Sequence, residues 1–250
     1  TGRYVFTFVA HENCDNVIAS ANWGNELCFV WEPLEGEVPN SLEPMLFVYV
    51  GWMDNYRGQK SDKLLNGGSY AEKNHRGVEV CNFKSHKGKV YGNFGSKNGI
   101  SAKGFKKLGG SSSVRAVKGT IVWIAKNEET NKIVVIGWYQ NAEIFRAKQK
   151  LSNPSTAHQK YGLNAYYFSA KKADACLLES NDRILEVPKG KGGKGKNFLW
   201  YADSEIGQSF KKKVIDFIQS YLKAGETPTH SPGWRNTKCD PERNKVVEQS

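Results

Sequence analysis

The sequence predicts an α+β protein that is mostly β, with one amphipathic helix towards its C-terminal end. Three observations predict it. Short apolar and β-branched runs recur between turn residues as far as residue 170, two of them flank a polar turn in hairpin fashion, and one later stretch has helical spacing.

Each element follows from its residues. Residues 4–10 and 27–31 read as strands, the second stopped by Pro33. Residues 45–50 are a continuous apolar run, as expected of a buried strand. Residues 58–70, with Gly67-Gly68, read as a loop. Residues 79–83 and 89–94 flank Lys87-Gly88 and suggest a hairpin. Residues 119–125 and 132–139 flank a polar turn at 127–131 and predict an antiparallel pair, which residues 142–146 extend after a bend. Residues 165–170 are another apolar segment, and 170–176 suit a turn or short helix. In residues 204–224, Phe210, Val214, Phe217, Ile218, Tyr221 and Leu222 fall on one helical face, and Gly225 ends it. Residues 226–245 hold Pro228, Pro232 and Pro241 and read as a linker. The organisation expected is a β-rich module over 1–118, a second with the helix over 119–225, and a linker over 226–250 towards an effector domain.

Charge points to the partner. The formal net charge is +11 over 250 residues, and residues 84–118 hold nine Lys or Arg with no Asp or Glu. Lys84, Lys87, Lys89, Lys103, Lys106 and Lys107 lie there, among Phe83, Tyr91, Phe94 and Phe105. A second basic stretch, 188–197, sets Lys189, Lys191, Lys194 and Lys196 among four glycines. Lysines neutralise phosphates and release counterions, glycines let backbone amides approach them, and exposed aromatics stack on bases. The plainer reading is two solvated basic loops. The glycine stretch lacks the Lys-Ser/Thr ending of a nucleotide-binding P-loop.

Other chemistry is weakly marked. The five histidines form no HxH, HExxH or HxxxH motif, and no acidic-x-Lys triple sits convincingly on a predicted strand. No metal, cofactor or catalytic centre is expected. The five cysteines form no CxxC and read as reduced thiols of a cytoplasmic protein. No apolar run reaches the roughly 18 residues of a membrane span, and no signal peptide is seen. Seven tryptophans and eleven tyrosines supply candidate walls for a flat ring: Trp52, Tyr56, Trp123, Trp138, Tyr139 and Trp200. The bland alternative for any one of them is the core.

Three series of strings carry a resemblance. The first is Gly51-Trp52-Met53, Tyr56-Arg57-Gly58, Gly67-Gly68-Ser69-Tyr70, the run 77–83 and Tyr91-Gly92. The second is Val122-Trp123-Ile124-Ala125 and Ile136-Gly137-Trp138-Tyr139 with Arg146. The third is the run 187–193 with Trp200-Tyr201-Ala202-Asp203. Together they resemble the N-terminal DNA-targeting region of bacterial modification-dependent restriction proteins, and residues 240–248 resemble the approach to a nuclease-like domain of the NO VEIN kind. The resemblance implies a reader of the PUA-like, EVE-type group, with small barrels and an aromatic cage for a flipped modified base. It implies duplex DNA as partner and a role in anti-phage restriction. Arg57 and Arg146 become candidate base-edge or phosphate contacts, since Arg pairs bidentately with guanine and phosphate. A homodimer is a further candidate assembly, and no membrane partner is expected. The alternatives are a nuclease with an unrecognised active site, an RNA-binding module, and a protein-interaction domain.

Overall fold

The computed structural model describes residues 44–58, 62–66, 77–96 and 98–224. All of them lie in one compact unit that begins at Glu43. The strands expected at 4–10 and 27–31 and the linker at 226–250 lie outside the described residues, as does part of the 58–70 loop.

Among the described residues, seven strands form one mixed sheet. They are β1 (Met45–Val50), β2 (Lys89–Gly92), β3 (Ala116–Lys126), β4 (Ile133–Lys150), β5 (Ala165–Lys171), β6 (Ala175–Leu177) and β7 (Leu199–Trp200). The order is β2-β5-β4-β3-β1-β7, with β6 added on β4. β1 runs parallel to β3, and the other pairs are antiparallel. The helices are α1 (Ala102–Lys107), α2 (Thr156–Lys160) and α3 (Glu205–Ala224). The protein is thus α+β and mostly strand. The sheet is not closed: β2 and β7 end the strand path as edges, so no complete small barrel forms among the described residues.

The β3–β4 hairpin appears where the sequence puts it. Its turn is held by the Asn127 side chain, whose Oδ1 accepts from the amides of Glu129 (2.9 Å) and Thr130 (3.0 Å). Asn141, at φ 50°, marks the bend through which β4 continues. The position between residues 118 and 119, expected as a domain boundary, falls inside β3, and residues on both sides of it pair with β4.

The other expected hairpin is only partly present. Lys87 and Gly88 both take positive φ, and the amides and carbonyls of His86 and Lys89 close a two-residue turn. Residues 79–83, however, form turns rather than a strand. Within these turns Glu79 is buried, and its Oε1 accepts from the Gly51 amide, 28 residues away, at 3.2 Å.

Each face of the sheet carries its own core. One holds Leu46, Val48, Ile121, Trp123, Ile136, Ile144 and Phe168. The other holds Met45, Phe47, Val122, Ile124, Val135 and Trp138, and α3 covers it with Phe210, Val214, Ile218 and Tyr221. These α3 positions fall on the face expected from their spacing. No helix among the described residues is long and apolar enough to cross a membrane.

Candidate nucleic-acid interface

The two basic segments, distant in sequence, meet at one cleft. Lys103 and Lys107 of α1 line it together with Gly192, Gly193, Asn197, Trp200 and Tyr201, around a volume of about 380 Å³. That size lies near the lower end of small-ligand sites. α1 is short and is capped by Ser101, whose Oγ accepts from the Gly104 amide at 3.1 Å. It lies close to Tyr201 because residue 104 is glycine: a Cβ there would overlap the Tyr201 hydroxyl. Phe105 anchors α1 in the core, while Lys103, Lys106 and Lys107 remain exposed.

The glycine loop has a defined shape. Gly190 and Gly192 take positive φ (86° and 83°), which favours glycine. Lys194 is buried inside the loop. Its Nζ donates to the carbonyls of Gly195 (2.6 Å) and Asn197 (2.5 Å) and lies 5.0 Å from the Tyr49 ring centroid. Burial pulls its pKa from 10.5 down to about 8. Lys194 therefore braces the loop, unlike Lys189, Lys191 and Lys196, which are exposed. The Ser204 hydroxyl donates to the Gly192 carbonyl and accepts from the Gly207 amide, joining the loop to the first turn of α3.

An acid sits at the same cleft. Asp203 pairs with Lys107, whose Nζ also lies 5.4 Å from the Tyr201 ring centroid. Burial pushes the Tyr201 hydroxyl up to about 12, with Asp203 adding to the effect. The cleft therefore combines cations, one competing carboxylate, an indole and a phenol.

Four of the six rings expected to wall a base pocket lie in the interior. Tyr56, Trp123 and Tyr139 pack with Phe83 in edge-to-face contacts, with centroids 5.2–6.3 Å apart. The Tyr56 hydroxyl donates to the Gly51 carbonyl and accepts from the Met53 amide. Trp138 sits beneath α3, 5.6 Å from the Tyr221 ring. Trp52 is half-buried over the Arg183 guanidinium, 4.8 Å away. Trp200 alone of the six lines the cleft, leaning on Phe47 at 4.9 Å.

The remaining basic positions are dispersed. Lys87 and Lys89 are exposed at the β2 edge with Lys84 half-buried nearby, whereas the glycine loop leads into β7 at the other edge. Arg146 is exposed on β4, and Arg57 is half-buried in the 51–58 loop.

Sequence reasoning missed Arg183. It is buried, and its guanidinium donates to the carbonyls of Leu178 (3.0 Å), Met53 (2.7 Å) and Asp54 (2.6 Å). Beside it the Asp62 carboxylate accepts from the amides of Asp54, Asn55 and Tyr56. These contacts hold the 51–58 loop and account for Trp52. Cys81 is a buried thiol with its pKa pushed up to about 11 by burial. Cys176 is disulfide-bonded, which departs from the expectation of five reduced thiols. Among the described residues, no group of three or more His, Cys, Asp or Glu side chains is placed to hold a metal ion.

No family model matches this chain, and no curated protein or solved structure matches it either.

Proposed function

We propose that this chain is a DNA-recognition module of a restriction-type defence protein, related to the PUA-like readers. It grips duplex phosphates with Lys103, Lys106 and Lys107 of α1 and with Lys189, Lys191 and Lys196 of the glycine loop. It offers the cleft beside Trp200 to a modified base turned out of the helix. The observation that carries this reading is the meeting of α1, with Lys103 and Lys107, and the glycine loop, through Gly192, Gly193 and Asn197, at a cleft containing Trp200 and Tyr201. Turning out a base costs a few kcal/mol of lost stacking, which an aromatic wall and edge hydrogen bonds offset. Trp200 supplies the wall, and the Asn197 side-chain amide supplies a donor and an acceptor for a base edge.

Fluorescence anisotropy at about 150 mM salt tests it, where phosphate contacts are already partly screened. The probes are one duplex sequence unmodified or carrying N6-methyladenine, 5-methylcytosine or 5-hydroxymethylcytosine. A preference of about tenfold, ~1.4 kcal/mol, that disappears in Trp200→Ala supports a base pocket at the cleft. Equal affinity for all four removes base sensing and leaves a general DNA grip. No binding to any duplex overturns the whole reading.

A further inference from the structure

Among the described residues, one sheet face is covered by a helix along only part of its width. α3 covers Met45, Phe47, Val122, Ile124, Val135 and Trp138. Towards the β2 edge, a row of register partners crosses the same face: Tyr91 beside Ser169, Ser169 beside Glu143, and Glu143 beside Lys118. The chain neighbours Val90, Ala142, Ile144 and Ala170 belong to the opposite core, so alternation turns this row away from it.

The strip is aromatic in the middle and basic at the rim. Tyr91 and Tyr166 are half-buried with ring centroids 4.9 Å apart, and the Phe145 centroid lies 5.8 Å from that of Tyr166. The Arg115 guanidinium lies 5.8 Å from the Phe145 ring centroid. Lys89, Lys118 and Lys171, on the strands that carry the row, and Lys87, in the turn before β2, are exposed. The row's carboxylate, Glu143, accepts from the Ser169 hydroxyl at 2.9 Å and lies 3.8 Å from Lys89 Nζ. A half-covered aromatic pair within a cationic rim suits an anionic chain with flat, unpaired rings.

We propose that this strip is a second site, which takes single-stranded DNA by stacking unpaired bases on Tyr91 and Tyr166 while Lys87, Lys89, Arg115 and Lys118 hold the flanking phosphates. Every base has a stacking face, so the site tolerates any sequence. The proposal deepens the duplex-binding reading and rests on it for the class of partner. It lies towards the sheet edge opposite β7 and needs no part of the Trp200 cleft.

The experiment is anisotropy with a twelve-nucleotide oligothymidylate and, separately, the unmodified duplex. Tyr91→Leu with Tyr166→Leu keeps apolar bulk over Phe145 but removes both π faces. It is expected to weaken oligothymidylate binding by about tenfold or more, with an unchanged salt slope and unchanged duplex affinity. Tyr91→Phe with Tyr166→Phe keeps the faces and is expected to bind as the unaltered protein does. Lys87→Ala with Lys89→Ala leaves the rings in place and is expected to lower the oligothymidylate salt slope by about 0.7 for each phosphate left without its lysine. Full affinity in the leucine variant, or no oligothymidylate binding by the unaltered protein, overturns the second site. Loss of duplex binding alone would instead overturn the reading of the cleft.

Discussion

Asp203 holds the Lys107 ammonium at the cleft, linking the last turn of α1 to the segment just before α3. Both side chains are partly exposed, so the pair itself adds little stability. Under the proposed duplex grip its effect on binding is larger, because the carboxylate would compete with a phosphate for the same cation. Asp203→Asn is therefore expected to raise duplex affinity about two- to fivefold, the scale of an exposed ion pair. The salt slope should steepen by about 0.9 if Lys107 gains one phosphate. Anisotropy titrations at three salt concentrations check both, and a fall in affinity would assign Asp203 a favourable contact instead.

The four lysines of the glycine loop should separate into two behaviours. Replacing Lys189, Lys191 and Lys196 with Ala is expected to flatten the salt slope by about 0.9 for each phosphate no longer neutralised, with little change in Tm. Lys194→Met should lower Tm, because the loop carbonyls of Gly195 and Asn197 lose their donor. Thermal melts and binding isotherms on the two variants decide this. Identical phenotypes would place Lys194 in the interface and not in the loop's frame.

Lys194 also gives the fold a pH signature. Its folded pKa, about 8, lies below the ordinary 10.5, so between those values the unfolded chain binds more protons than the folded one. Stability from this group therefore rises as pH increases from about 8 to about 10.5, and is least favourable below pH 8, where the buried amine must carry its charge. Urea midpoints across that range should show the rise in the unaltered protein relative to Lys194→Met. Parallel curves for the two proteins would contradict it.

The parts legible in the sequence are those with local patterning. β3, β4 and α3 carry their periods on their own residues, and the 127–131 turn carries its own Asn. The 51–58 loop carries no such signal, because its frame is non-local: Asp62 serves its amides and Arg183 its carbonyls. Composition marks Lys189 and Lys194 alike as cations, and only the fold turns one outwards and the other inwards. For the tryptophans, type alone does not distinguish a core ring from a pocket ring. Trp123 and Trp138 point to opposite faces of the sheet and both are covered. The meeting of α1 with the glycine loop depends on the late β7 strand, which is only two residues long and too short to leave a pattern.

That short strand has a kinetic meaning. Among the described strands, β7 pairs only with β1, setting Phe47 beside Trp200 across most of the described chain. Closing so long a loop costs more entropy than closing the β3–β4 hairpin, so this pairing comes late in folding. Pulse-labelled hydrogen exchange should find the Asn127 amide, which bonds the Lys132 carbonyl at 2.8 Å in the β3–β4 turn, protected before that of Tyr49, which bonds the Phe198 carbonyl at 2.7 Å. Among the described strands, the Trp200 cleft is then expected to be built after the β3–β4 hairpin and to be lost before it. A weakened chain would lose the proposed base pocket while most of its sheet still stood.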